Sequence, residues 1–375
     1  MKSEKRKIKY LTAKFFIFSF SLFIFVGCKN HYLLKGMSDT YLKFRNDAGI
    51  DRYHIFKNRY VATGTPQPWR IAKNYDKSII PDTSAAFLKK TGTIAYLIIK
   101  NDSIYYEKYF EGFSDTSHTN SWSMAKSITS LLIGAAIEEG KIKSVDEKVS
   151  DFLPSFNKGL DTLLKIKDLL TMSSGIPFGE SYVNPAGYPA KALYGSNITW
   201  LTLRYHCTEK PGTKFIYQSG NTELLGHILT KATGKTVSEY ASEKLWKPLG
   251  AEYPAFWSTD HKDGMEKTFC CFNSNARDFA RIGMMMLDSG KWNGKEIIPK
   301  DYFIQSTTPQ TIRYYGYQWW IGRMGTHKLF WAEGYDGQFI IVIPDEKMVV
   351  VRLGKRNANG DGDMYVGTAL GMYGE

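Results

Sequence analysis

At 375 residues, 43% hydrophobic and 15% aromatic, the chain holds enough apolar side chain for a sizeable core in one large or two interleaved domains, and this composition argues against disorder. The formal net charge of +12 falls to +7 once residues 1–27, with six basic residues and one acid, are set apart. What remains is spread without a basic block or an aromatic-interleaved basic patch, which excludes a nucleic-acid footprint and fits an ordinary soluble surface.

Lys2, Lys5, Arg6, Lys7, Lys9 and Lys14 stand against Glu4 and precede the run FFIFSFSLFIFVG. A basic start, a short apolar stretch and a small residue before Cys28 read as a secretory signal over residues 1–27. The stretch is too short to span a bilayer comfortably. FVGC resembles the lipobox of bacterial lipoproteins, which implies acylation of Cys28 and an exported, membrane-anchored lipoprotein facing the periplasm or the cell exterior. Phe25 stands where that pattern usually has leucine, and plain secretion or an uncleaved anchor remains the alternative.

Residues 28–85 are turn-rich (TGTPQPW, IIPDTS) and read as a tether and wrapping segment before a main domain over 86–375. TIAYLIIKNDSIYYEKYFEGF gives two β-rich runs around Asn101-Asp102, a hairpin signal. From Ser123 onward, Ile128, Leu131, Leu132, Ala135 and Ala136 fall at helical spacing, with Gly140 just past the end. Residues 145–255 read as a mostly helical, loop-rich subdomain. HKLFWAEGYDGQFIIVIPDEKMVVVRLG supplies two or three strands broken at Pro344-Asp345. Strands at both ends with helices between them predict an α+β fold: an antiparallel sheet built from both chain ends, flanked by helices, with a helical insertion.

Beyond Cys28, three cysteines remain: Cys207, Cys270 and Cys271. Adjacent cysteines rarely bond to each other, so a bridge from Cys207 to one of the pair and three reduced, buried thiols both stand as readings. There is no CxxC and no HExxH, and the seven histidines are scattered, so no metal and no cofactor are expected. There is no GxSxG elbow. ATGKT at 232–236 resembles a P-loop end but has Leu229 where a glycine is needed.

Ser123 and Lys126 carry chemistry of another kind. Residues three apart share a helix face, so the amine reaches the hydroxyl. Serine needs a base to become a nucleophile, and lysine is a base only when burial or nearby positive charge favours its neutral form. A serine opening a helix also presents its amide at the positive end of the dipole, where an oxyanion would sit. Spacing alone is weak, because Ser155 and Lys158 repeat it in a loop.

Six blocks in order, SWSMAKSITSLLIGAAIEEGKI, KIKDLLTMSSGIP, PGTKFIYQSGNTELLGHIL, NSNARDFARIGMMMLDSGKWNGKEII, YYGYQWW and WAEGYDGQFIIVIPDEKMVVV, resemble the serine β-lactamase and penicillin-binding-protein superfamily. The nearest branch is that of the class C β-lactamase-related hydrolases, with the esterases and 6-aminohexanoate-dimer hydrolases. The resemblance implies a β-lactamase/DD-peptidase-like fold and a serine hydrolase acting on a small amide, ester or peptide-like substrate. Ser123 is the implied nucleophile. Lys126 and Tyr217 are the implied general base and acid, and which of them takes the proton stays open; Tyr217 would qualify if the Lys126 cation lowered its pKa. The amides of Ser123 and Tyr335 would form the oxyanion hole. Ser219, in place of the motif asparagine, Tyr182 and Gly334 would touch substrate, Gly334 by letting it approach the strand. The third motif departs from the family: Ala332-Glu333-Gly334 has no cation for a substrate carboxylate. Arg277, Asp278 and Arg281 read as a structural ion-pair helix. A β-lactamase or D,D-peptidase is the first alternative, and a catalytically silent envelope-binding lipoprotein the second. Oligomeric state is open.

Overall fold

The computed structural model describes residues 31–39, 49–77, 79–356 and 361–372. The signal segment and Cys28 lie outside them. In chain order the elements used below are α1 (His31–Asp39), β1 (Lys57–Val61), β2 (Arg70–Ile71), α2 (Asp82–Lys90), β3 (Thr93–Lys100), β4 (Ser103–Tyr109), β5 (Thr119–Asn120) and α3 (Met124–Glu138). Then come α4 (Ile166–Leu170), α5 (Tyr188–Tyr194), α6 (Ile198–Leu203), α7 (Ser219–Thr233), β6 (Ala255–Thr259), β7 (Phe272–Ser274) and α8 (Ala276–Leu287). The chain closes with β8 (Trp320–Met324), β9 (His327–Gly334), β10 (Gln338–Ile343), β11 (Met348–Gly354) and α9 (Asp361–Gly371).

The main sheet runs β8-β9-β10-β11-β3-β4-β2, so both chain ends build it. Asn101 and Asp102 take φ of 48° and 60°, the left-handed pair that a two-residue hairpin turn requires, and join β3 to β4. All pairings are antiparallel except the last: Arg70 and Ile71 of the wrapping segment run parallel to Ser103 and Ile104. The wrapping segment also supplies β1, which pairs with β6 in a second, four-stranded sheet.

β3, β10 and β11 are buried along their whole length, which is why they read as continuous apolar runs rather than alternating ones. Their inner face (Leu97, Ile99, Ile340, Val342, Val349, Val351) packs in one core with α3 and α8. Their outer face (Tyr96, Ile98, Ile341, Val350) packs with Leu88 of α2 and Tyr365, Val366 and Ala369 of α9. Gly283 lets α8 sit close: a Cβ there would lie 2.5 Å from Val349. α3 is the central helix, buried from Met124 to Ala136. Its polar residues are satisfied internally, with Ser127 donating to Gln318 O at 2.6 Å and Ser130 to Tyr317 O at 2.8 Å. The Arg277 to Arg281 stretch opens α8 and is structural. Arg277 grips the Glu107 carboxylate through two bonds, and Arg281 pairs with Asp278 at 3.0 Å and Glu252 at 2.9 Å.

Candidate active site

Trp122 has φ of 45°, a conformation that costs a bulky residue strain and breaks the chain direction just before α3. Its amide is held by Asn120 Oδ1 at 2.9 Å. Ser123 therefore stands at the N-cap of α3, yet makes no capping bond. Its hydroxyl faces a cavity instead, 3.0 Å from Lys126 Nζ.

Lys126 is 1% exposed. Its Nζ donates to Phe269 O at 2.9 Å and stands 5.1 Å from the centre of the Tyr217 ring. Burial pulls its pKa down to about 8, against the opposing charges of Glu180 and Glu223. About a tenth of the amine is thus neutral at pH 7, within 3.0 Å of the serine hydroxyl. Tyr217 stands near enough to Ser123 for the hydroxyl to influence its titration, so hydroxyl, amine and phenol share one region of the site. The Tyr217 ring is fixed between Trp320, stacked at 5.7 Å, and Tyr315, edge-on at 6.3 Å. Burial raises its pKa above the ordinary 10, the neighbouring Ser123 hydroxyl pulls it down, and Glu180 and Glu333 push it up. The phenol keeps its proton.

Glu180 joins the remaining residues. One oxygen accepts from the Ser219 hydroxyl and from Tyr182 OH, both at 2.6 Å, and the other accepts from the Ser219 amide at 2.7 Å. The hydroxyl proton of Ser219 is thereby committed to Glu180, and the residue lines the cavity. Tyr182 stands at the cavity mouth, its ring 5.9 Å from that of Tyr335. Gly334 also has a packing task. A Cβ there would lie 2.2 Å from Ser121 O and 3.2 Å from Ser123 N, so its smallness lets β9 meet the nucleophile turn. The strand ends at this point and passes into Tyr335, whose ring lies edge-on to Trp122. Ala332 is buried in the core, and Glu333 accepts from Trp331 Nε1 at 2.9 Å. No cation occupies the third motif.

The cysteine expectation is overturned: Cys270 bonds to Cys271, and Cys207 is free. Cys207 is held instead by Asp161 and Ser174, its amide donating to Asp161 Oδ1 at 2.7 Å and its thiol to Ser174 O at 3.3 Å. Cys271 at φ 66° turns the chain tightly enough for the adjacent sulfurs to meet, and this turn follows Phe269, the residue that holds Lys126. Sequence reasoning missed Glu180, the Phe269 carbonyl and the contribution of α1 to the cavity. Glu180 was visible two residues before Tyr182. A backbone carbonyl has no sequence signature.

The Beta-lactamase family model matches residues 83–369. The chain belongs to the β-lactamase family. It is 28% identical to the 6-aminohexanoate-dimer hydrolase of Paenarthrobacter ureafaciens over 227 residues, 57% of this chain and 57% of that protein. The chain therefore spans less than two thirds of that relative's length. Among solved structures, one described as a candidate 6-aminohexanoate-dimer hydrolase of Bacillus anthracis superposes with a TM-score of 0.74 at 22% identity, covering 86% of this chain and 92% of that one. A class C β-lactamase gives 0.60 at 16% identity, covering 82% and 99%. These likenesses show the β-lactamase/DD-peptidase fold.

Proposed function

We propose that this protein is an exported serine hydrolase that cleaves an amide or ester bond through an acyl-enzyme on Ser123. The observation that carries the reading is the Lys126 amine, buried, held by Phe269 O and 3.0 Å from the Ser123 hydroxyl. Neutral Lys126 takes the hydroxyl proton as Oγ bonds to the carbonyl carbon. The amides of Ser123 and Tyr335 hold the resulting oxyanion. As the bond to the leaving group breaks, Tyr217 gives its proton to the departing atom and recovers one from Lys126. Water then attacks the acyl-enzyme, its proton passes to Lys126, and Ser123 leaves reprotonated.

The missing cation at Ala332 and the Glu333 carboxylate near Tyr217 weigh against a substrate that carries a carboxylate beside the scissile bond, as β-lactams and D-alanyl peptides do. Ser123→Ala removes the nucleophile with little effect on folding and is expected to lower turnover of a reactive ester by roughly 10⁴-fold or more. Turnover retained in that variant would rule the mechanism out. Stable labelling by fluorescent penicillin would favour the D,D-peptidase alternative. No labelling of Ser123 by a fluorophosphonate would favour a silent binding protein. Export with lipid attachment at Cys28 rests on the sequence of residues 1–28, and the mass of the mature N-terminus tests it.

A further inference from the structure

The cavity that receives the Ser123 hydroxyl, about 460 Å³, reaches well beyond the family domain. One wall is α1, which precedes the first residue of the family match by some forty positions and contributes Leu33 and Met37. Gly36 lets α1 settle on α5, since a Cβ there would lie 3.2 Å from the Tyr194 ring. Leu193 of α5 lines the next wall, and the Cys270 end of the 270–271 disulfide lines the floor beside Phe269. Among the described residues, no lysine, arginine, histidine, aspartate or glutamate lines this space. Its mouth is rimmed by exposed apolar side chains: Met37, Tyr182, Val183 and Tyr335 are 42%, 59%, 89% and 45% exposed. Large side chains left in water around one opening mark a surface built to be covered by an apolar ligand.

We propose that α1 and α5 form a binding site for an uncharged, aliphatic acyl arm of the substrate, so that this hydrolase selects esters or amides of medium-length apolar acids. The inference rests on the serine-hydrolase reading and deepens it. The arm is assigned to the acyl half because that half stays on Ser123 until water releases it, whereas the leaving half must escape to solvent. A walled pocket suits the part that stays. A charged terminus on the arm would lose hydration among Leu33, Met37 and Leu193, none of which offers a counter-charge.

The test uses p-nitrophenyl esters of acetate, butyrate, hexanoate and octanoate, together with the mono-p-nitrophenyl ester of adipic acid and the ester of 6-aminohexanoic acid. The proposal expects kcat/KM to rise about fourfold per added methylene until the pocket is filled, the equivalent of ~0.8 kcal/mol for each buried CH₂. The adipate and aminohexanoate esters should fall at least about tenfold below hexanoate. Met37→Asp should lower hexanoate turnover by about tenfold while leaving acetate within about twofold. Leu34→Asp, on the same helix but outside the cavity lining, should leave both unchanged and so controls for loss of α1. A flat length series, a preference for either charged arm, or an equal effect of Met37→Asp on acetate and hexanoate overturns the proposal. Ser123-dependent turnover without length selectivity overturns only the proposal. No Ser123-dependent turnover of any ester overturns the underlying reading as well.

Discussion

Lys126 sits where desolvation and two carboxylates oppose each other, and its charge state governs the chemistry proposed for the site. Burial favours the neutral amine; Glu180 and Glu223 favour the cation; burial prevails, and the pKa comes down to about 8. The base works when deprotonated, so kcat/KM should climb with pH through about 8 and level off above it. Glu180→Gln keeps an oxygen for Ser219 but removes the charge that stabilises the cation. The rising limb should then move to lower pH in a profile of kcat/KM. A limb that moves upward or stays put would deny Glu180 this influence. Tyr217 is pushed the other way and keeps its proton, so Tyr217→Phe should cost roughly 10²–10⁴-fold in rate as a lost proton donor. The loss should be largest for amides and for esters with poor leaving groups, because p-nitrophenolate departs without needing a proton.

At the scale of elements, the site depends on the end of β9 meeting the start of α3. A Cβ at residue 334 would collide with Ser121 O, which is backbone and cannot swing aside. Gly334→Ala is expected to cost about 1–3 kcal/mol of stability through overpacking. It should also lower kcat by roughly 10²–10³-fold if it displaces one oxyanion amide. Urea denaturation and kcat, measured together, check both. Wild-type activity in this variant would place the oxyanion site elsewhere.

Much of this element arrangement was legible beforehand. The Asn101-Asp102 hairpin, the helix from Ser123 and the strands around Pro344 each carry a local signal, and the motif order joined them into one sheet. β8 pairs with β9 across the two-residue turn Gly325-Thr326, a local hairpin that the reading of the sequence passed over. α9, with three glycines in DGDMYVGTALG, is a poor helix former held by the packing of Tyr365, Val366 and Ala369. The parallel β2 contact and the Cys270–Cys271 bond depend on tertiary position and turn geometry, which spacing does not report. At the site, side-chain identities were readable, whereas the Phe269 carbonyl and the real neighbours of Gly334 and Ser219 emerged only from the fold.

For the whole molecule, burial of ionisable groups extends beyond the site. Lys267 is fully buried, its Nζ 3.7 Å from the centre of the Phe56 ring and without a hydrogen-bond partner among the described residues. Burial holds its pKa well below the ordinary 10.5. Folding therefore strips a proton that the unfolded chain would keep, and this penalty disappears only above the unfolded value. Lys267→Met should raise stability by roughly 1–3 kcal/mol at neutral pH, with the gain shrinking as pH approaches 10.5. Urea midpoints for the two proteins across that range give the answer, and a variant less stable than wild type would assign the amine a structural partner.

The account turns on an uncharged Lys126 activating Ser123, and the most direct test needs no knowledge of the substrate. The rate of Ser123 labelling by a fluorophosphonate, followed by intact mass from about pH 6 to pH 10, should rise through a midpoint near 8. Lys126→Met should react at least about 10²-fold more slowly and lose the pH dependence. A rate that is flat with pH, or a Lys126→Met variant that labels as fast as wild type, would contradict it.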